Sequence, residues 1–146
     1  MKQKIKVTKI FTFEMAHALL GYDGDCKNIH GHSYILHVTV SGTPIKDDTN
    51  PKNGMVIDFF DLKMIVKKKI IDKYDHALVL NSKISPTVKE TLKKNFGKVY
   101  EEKFQPTCEN LVLHFVNEIK NTFPKGVDLS NVKLFETATS YAEWHR

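Results

Sequence analysis

Hydrophobic and polar residues alternate in two stretches near the start of the chain, a pattern that is typical of half-buried β-strands. The first stretch runs from Lys4 to Phe13 and the second from Ser33 to Ser41. The polar segment between them is predicted to be a loop. Two more strands are predicted near the other end, over Val132 to Thr137 and Ser140 to Trp144. The chain therefore begins and ends in strands.

The apolar residues between these strands recur at helical spacing. Asp58 is predicted to cap a first helix, Ser85-Pro86 opens a shorter helix that Gly97 ends, and Thr107 caps a third. Helices that lie between two pairs of strands favour an α+β fold. We expect an antiparallel sheet of four strands with the helices packed on one face.

The amino-acid composition indicates what kind of protein this is. The length of 146 residues, with 41% hydrophobic and 27% charged residues, predicts one globular domain over residues 1–146. No apolar run approaches the roughly 20 residues that a membrane span needs, and the N-terminal residues do not resemble a signal peptide. We therefore expect a cytoplasmic protein without a membrane partner, in which Cys26 and Cys108 stay reduced.

The net charge of +5 indicates an acidic partner. The lysines are scattered, apart from two short clusters, and no alternation of basic and aromatic residues marks a nucleic-acid surface. A small polyanionic ligand is the expected partner, rather than DNA or RNA.

Three histidines form a candidate metal site. His30 and His32 flank Gly31, so an extended backbone places both rings on one face of a strand. His17 follows the apolar end of the first predicted strand and can meet the other two if the two strands pair in antiparallel fashion. Three protein ligands with an open fourth position are the usual arrangement of catalytic zinc.

Cys26 lies four residues before His30, which leaves two alternatives open. It is a candidate nucleophile or base beside the metal. It could also be the fourth ligand of a structural zinc site, because the spacing falls within the range that such sites use.

Other polar residues lie at positions that suggest chemistry. Asp75-His76 could act as a proton relay, in which the carboxylate orients the imidazole, or could be a solvated helix end. Glu136 interrupts an apolar strand, and if buried it could bind a planar base through paired hydrogen bonds. Cys108 falls in the first turn of its helix, where the dipole could lower its pKa, but we favour a packing role.

These segments together resemble the 6-pyruvoyltetrahydropterin synthase family and its bacterial branch, the 6-carboxytetrahydropterin synthases. The similarity covers nearly the whole chain, and its motifs occur in the family's order. They are Phe11 to His17, Cys26 to His32, Gly54 to Phe59, Tyr74-Asp75-His76, Pro106 to Asn110 and Glu136-Thr137.

The resemblance implies a zinc-dependent lyase acting on dihydroneopterin triphosphate. It implies the tunnelling fold, in which three subunits close a barrel and two rings stack, so that a trimer or hexamer carries active sites between subunits. The residues that it implies for the metal are His17, His30 and His32. Those for catalysis are Cys26 as proton acceptor, Asp75 and His76 as its relay, and Glu136, which also anchors the pterin. Thr107 and Lys27 are further candidates for substrate binding.

The branch is suggested by spacing. Three residues separate Cys26 from His30, as in the bacterial carboxy enzymes of queuosine-precursor synthesis, whereas the pyruvoyl branch has a longer gap. The pyruvoyl enzyme and a non-catalytic, zinc-stabilised oligomeric module remain the alternatives. The segment from Ser82 to Phe104 is longer and richer in lysine than is usual in the bacterial branch.

Overall fold

The computed structural model describes residues 3–146 of the chain. A mixed sheet of six strands forms its framework, in the order β4-β3-β1-β2-β5-β6. The strands are β1 (Ile5–His17), β2 (His30–Gly42), β3 (Ala77–Asn81), β4 (Val99–Glu102), β5 (Val127–Thr137) and β6 (Ser140–His145). A short 3-10 turn, Asp25–Lys27, lies between β1 and β2.

The prediction of a four-stranded antiparallel sheet is wrong in both respects. The strands that the pattern identified are present and pair in antiparallel fashion, but β3 joins β1 in parallel and β4 joins β3 in parallel. The two missed strands have only five and four residues. Runs of that length carry too little periodicity to identify a strand, and the parallel pairing depends on contacts far apart in the sequence.

The helices begin where their capping residues predict. Helix α1 (Phe59–Val66) follows Asp58, whose side chain accepts a hydrogen bond from the Phe60 amide. It continues through a π-helical turn, Lys67–Ile71, into the short α2 (Asp72–Tyr74). Helix α3 (Pro86–Asn95) ends just before Phe96-Gly97. Helix α4 (Cys108–Ile119) follows Thr107, whose side chain accepts from the Asn110 amide. The predicted caps are confirmed.

One hydrophobic core joins the sheet to these helices. The core face of β1 and β2 carries alternating buried residues, among them Phe13, Tyr34, Leu36 and Val38. The apolar faces of α1, its π-helical extension and α4 pack on this side of the sheet. Helix α3 buries none of its side chains. No helix within residues 3–146 is long and apolar enough to cross a membrane.

Cys108 belongs to this core, as predicted. Its side chain is buried, and its thiol donates to the Leu134 carbonyl at 3.2 Å. Burial raises the pKa of the Cys108 thiol to about 11. Desolvation therefore outweighs any lowering by the helix dipole, and the thiol stays protonated at neutral pH.

Two leucines on α4 test how much of the stability comes from this core. Leu111 is fully buried, whereas Leu113 is 52% exposed. We expect Leu111→Ala to lower the free energy of unfolding by about 2–5 kcal/mol, because it removes packed methyl groups and leaves a cavity. Leu113→Ala, the matched control, should change it by no more than about 0.5 kcal/mol.

Urea denaturation followed by circular dichroism, at one fixed protein concentration, measures both values. Equal losses for the two variants would contradict this assignment of the core face.

Candidate metal centre and active site

The pairing of β1 with β2 brings the three histidines together. The register places His17 directly opposite His30 and Met15 opposite His32. All three side chains extend from the core face of the sheet, because each lies an even number of residues from a buried core position of its strand. One ligand atom from each histidine lies within 4.8 Å of the others, so the group could hold a metal ion. The predicted convergence is confirmed.

Hydrogen bonds to backbone carbonyls orient two of these rings. Nδ1 of His17 lies 2.7 Å from the Pro106 carbonyl, and Nδ1 of His30 lies 2.8 Å from the Asn28 carbonyl. A carbonyl can only accept, so each Nδ1 carries the proton and each Nε2 is left with a lone pair. This carbonyl support behind the ring is the usual arrangement for metal-ligating histidine.

The orientation of these lone pairs fits a cation. The Nε2 atoms of His17 and His30 lie only 3.0 Å apart, and two acceptors at that distance repel each other unless a proton or a metal ion lies between them. Tetrahedral bonds of 2.0–2.1 Å to zinc would put two such nitrogens about 3.4 Å apart. Nε2 of His32 is buried and has no hydrogen-bond partner among the described residues. The three nitrogens are therefore better placed to bind a metal ion than to hydrogen-bond with one another.

Burial also keeps the ligands neutral. Desolvation lowers the pKa of His17, although its hydrogen bond to the Pro106 carbonyl and the nearby Glu136 oppose this shift. Desolvation lowers the pKa of His32 as well, again against the effect of Glu136. Both imidazoles are thus uncharged at neutral pH, with one ring nitrogen free to bind, which is the form that binds metals.

Glu136 lies beside the histidines. Its Oε1 is 3.4 Å from Nε2 of His17 and 3.6 Å from Nε2 of His32. Glu136 extends from the same side of β5 as the buried residues Val132 and Leu134, and it remains 27% exposed. A carboxylate on the core face next to three imidazoles is available to a ligand that enters the site.

The site also contains residues that the sequence pattern did not identify. The Tyr34 hydroxyl lies 3.5 Å from both Nδ1 of His17 and Oε1 of Glu136, and burial raises the pKa of this phenol well above its usual range. The sequence signal that could have identified Tyr34 is its position two residues after His32, on the same face of the strand. No sequence signal points to the Pro106 carbonyl, because its contact with His17 joins residues 89 positions apart.

The remaining predicted residues lie around this centre at different distances. Thr107 follows Pro106 directly and caps α4, so it is held close to His17. Cys26 is exposed in the 3-10 turn, and Lys27 follows it, also exposed. The group that could hold a metal ion comprises the three histidines and does not include Cys26. This geometry weighs against Cys26 as a fourth ligand.

Asp75 and His76 lie on the other side of β1. His76 has a positive φ of 62° and precedes Ala77, which pairs with Met15. Asp75 Oδ1 accepts from the Glu14 amide at 2.9 Å and lies 3.1 Å from Nδ1 of His76. The Glu14 amide and His76 both lower the pKa of Asp75.

The His76 side chain lines a cavity of about 750 Å³. Glu14, Ala16 and Ser33, which alternate with the core-facing residues of β1 and β2, line this cavity too, and so does His32 of the histidine group. Within residues 3–146, no hydrogen bond or ion pair joins Asp75 or His76 to Cys26 or to the histidine centre. One chain therefore brings together the metal ligands and Glu136 but leaves the predicted relay apart from Cys26.

Comparison with known proteins agrees with this arrangement. The chain is 39% identical over 141 residues to a 6-carboxy-5,6,7,8-tetrahydropterin synthase from Haemophilus influenzae, covering 95% of this chain and 97% of that protein. It is 33% identical over 145 residues to the protein of the same name from Rickettsia bellii, covering 95% and 99% of the two chains.

The fold is shared with solved structures. The 6-pyruvoyl tetrahydropterin synthase of Caenorhabditis elegans superposes with a TM-score of 0.68 at 22% identity, covering 99% of this chain and 96% of that one. The family model described as 6-pyruvoyl tetrahydropterin synthase matches residues 6–146. The chain belongs to the 6-pyruvoyl tetrahydropterin synthase family.

Proposed function

We propose that this protein is a zinc-dependent 6-carboxy-5,6,7,8-tetrahydropterin synthase. It converts 7,8-dihydroneopterin triphosphate and one water to 6-carboxytetrahydropterin, acetaldehyde and triphosphate, in the synthesis of queuosine precursors. The observation that carries the proposal is the convergence of three carbonyl-supported or buried imidazoles beside Glu136. The full-length relatives that bear this enzyme's name support the choice of reaction.

His17, His30 and His32 are the proposed zinc ligands, each through Nε2. When bound, zinc would polarise the side-chain oxygens of the substrate and so ease proton movement between adjacent carbons. The chain's own residues supply the rest: orientation of the pterin, acceptance and return of protons, and exclusion of water from the buried side of the site.

Glu136 is the proposed anchor of the pterin ring. Its carboxylate is half-buried, and it can accept two parallel hydrogen bonds from neighbouring N–H groups of a planar base. Thr107 lies beside the Pro106 carbonyl that supports His17, so its hydroxyl is near the same ligand. Lys27 is exposed next to Cys26, where an ammonium group could meet the triphosphate.

Cys26 is the proposed proton acceptor, with His76 and Asp75 as its relay. Since these groups are separated within one chain, we propose that an active site combines Cys26 and the histidines of one subunit with Asp75-His76 of its neighbour. This requires a homo-oligomer, a trimer or a hexamer. The exposed His76, with 76% of its side chain accessible, is free to meet a second subunit.

The pyruvoyl enzyme is the second candidate. It would use the same zinc and base but retain the three-carbon side chain of the substrate, and the matching family model carries its name. The three-residue gap between Cys26 and His30 favours the carboxy enzyme. A non-catalytic zinc module is disfavoured, because a structural zinc site does not require Glu136 or the Asp75-His76 pair.

One incubation separates the two enzymes. The purified protein with about one zinc per chain is mixed with dihydroneopterin triphosphate, and the products are identified by mass spectrometry. We expect 6-carboxytetrahydropterin and acetaldehyde in equal amounts. A product that retains all three side-chain carbons would assign the pyruvoyl reaction instead, and an unchanged substrate would reject both.

Two alanine variants test whether Cys26 acts as a base or as a zinc ligand. His30→Ala should lose most of its zinc, because two imidazoles hold the ion poorly, and with it all turnover. Cys26→Ala should lose most turnover but keep about one zinc per chain, because its thiol is not among the ligands. Elemental analysis after gel filtration measures the zinc. If Cys26→Ala emptied the site, Cys26 would be a zinc ligand and the structural alternative would be favoured.

Mixed oligomers test the shared active site. Cys26→Ala and His76→Ala, each inactive alone, should regain activity when co-assembled, because some sites receive Cys26 from one chain and His76 from another. Random assembly in a symmetric ring gives roughly one quarter of the normal sites.

The control pairs Cys26→Ala with His30→Ala. Both residues belong to the same half-site, so no mixed site is complete and no activity should return. Native mass spectrometry verifies that the mixed oligomers form. If they form and the first pair stays inactive, the two groups do not come from different subunits.

A further inference from the structure

We infer that Lys98 is a positioning residue that holds the His76 imidazole in its working orientation. The inference rests on the proposed function, because it assigns a role toward the proposed relay. Lys98 lies in the lysine-rich segment between β3 and β4, immediately before β4. It lines the same cavity as His76.

The Lys98 ammonium binds the end of the helix that leads to His76. Its Nζ donates to the Asp72 carbonyl and to the Asp75 carbonyl, each at 2.9 Å. Carbonyls in the last turn of a helix have no partner within the helix and carry its negative dipole end. A cation placed between two of them therefore stabilises the end of α2 and fixes the direction in which the chain leaves it.

One peptide group is held at both ends. The Asp75 carbonyl, which accepts from Lys98, belongs to the same peptide unit as the His76 amide, which donates to the Glu14 carbonyl at 2.6 Å. A planar peptide that is bound through both its oxygen and its nitrogen cannot rotate. His76 is the only non-glycine residue among residues 3–146 with a positive φ, a conformation that persists only where the surroundings impose it.

The Lys98 backbone is itself fixed to the same turn. Its carbonyl accepts from the Leu78 amide at 2.9 Å, two residues beyond His76. The backbone contact holds Lys98 against β3, and the side chain reaches back across the turn to Asp72 and Asp75. Lys98 thus contacts the chain on both sides of His76. Its side chain binds Asp72 and Asp75 before it, and its backbone binds Leu78 after it. The other nearby anchor, Asp75 Oδ1 with the Glu14 amide, acts on the side chain rather than on this peptide.

The experiment compares Lys98→Met with the unaltered enzyme. Methionine keeps most of the side-chain stem but removes the ammonium donors. We expect kcat to fall by about 10- to 100-fold, because misplacement of a reacting group by about 1 Å has effects of this size. KM should change by less than about twofold, because substrate binding is not the function lost. Lys98→Arg, which keeps donors for both carbonyls, should recover most of kcat.

Lys94→Met is the matched control. Lys94 lies on α3 and pairs with Glu90 on the exposed surface at 2.9 Å, away from the turn. This variant should leave kcat and KM unchanged. A rise in KM with an unaltered kcat in Lys98→Met would show that Lys98 binds the substrate rather than positions His76, and would overturn the inference.

Amide hydrogen exchange gives a reading that does not depend on activity. The His76 amide should exchange at least about tenfold faster in Lys98→Met than in the unaltered protein, since the turn then opens locally. The amides of α4 should keep their rates, which excludes general unfolding. Equal exchange at His76 in the two proteins would overturn the inference. Faster exchange in a protein that does not act on the pterin would reject the proposed function and retain the structural role of Lys98.

Discussion

The antiparallel pairing of β1 with β2 is the constraint on which the rest of the structure depends. Its register runs without a break from Ile5 opposite Gly42 to His17 opposite His30. A shift of one residue would turn every side chain to the opposite face of the sheet. It would expose the apolar residues that α1 and α4 cover, and it would separate His17 from the other two histidines. Core packing and the metal centre are therefore specified by the same set of hydrogen bonds.

The centre is an extension of the core rather than a surface feature. Along β2, the residues on one face change from Val38 and Leu36 through Tyr34 to His32 and His30. His17 and His32 thus share the desolvation of the core, which lowers their pKa values, and each imidazole gains the rigidity of a long strand. The loops add only hydrogen-bond acceptors, at Asn28 and Pro106, that turn each Nε2 inward. A candidate metal site built in this way would need little reorganisation to bind an ion.

The Asp75-His76 turn precedes β3, which pairs with β1 on the edge away from β2. Here the backbone is strained at His76 and held by several hydrogen bonds from neighbouring strands and from Lys98. Strain of this kind is maintained at sites where the orientation of a side chain matters. The histidine group and the Asp75-His76 turn are thus the two parts that the proposed site combines.

Much of this could be predicted from residue order alone. The alternation along β1 and β2, the caps Asp58 and Thr107, and the His17, His30 and His32 spacing are local signals, and each one led to the observed element or cluster. The apolar neighbours of Glu136 on β5 marked it as unusual but left open whether it is buried. These predictions succeeded because strand and helix periodicity determine which side chains share a face.

Other features were decided only by the tertiary structure. The strands β3 and β4 are short. Parallel pairing of β3 with β1, and of β4 with β3, depends on crossovers of many residues, so no local pattern identifies these strands. The Pro106 carbonyl behind His17 and the Lys98 ammonium on the Asp75 carbonyl join positions 89 and 23 residues apart. Such contacts form only when the folded chain brings distant residues together. The residues proposed to carry the chemistry could thus be read from the sequence, but the groups that orient them could not, because a backbone carbonyl has no residue type.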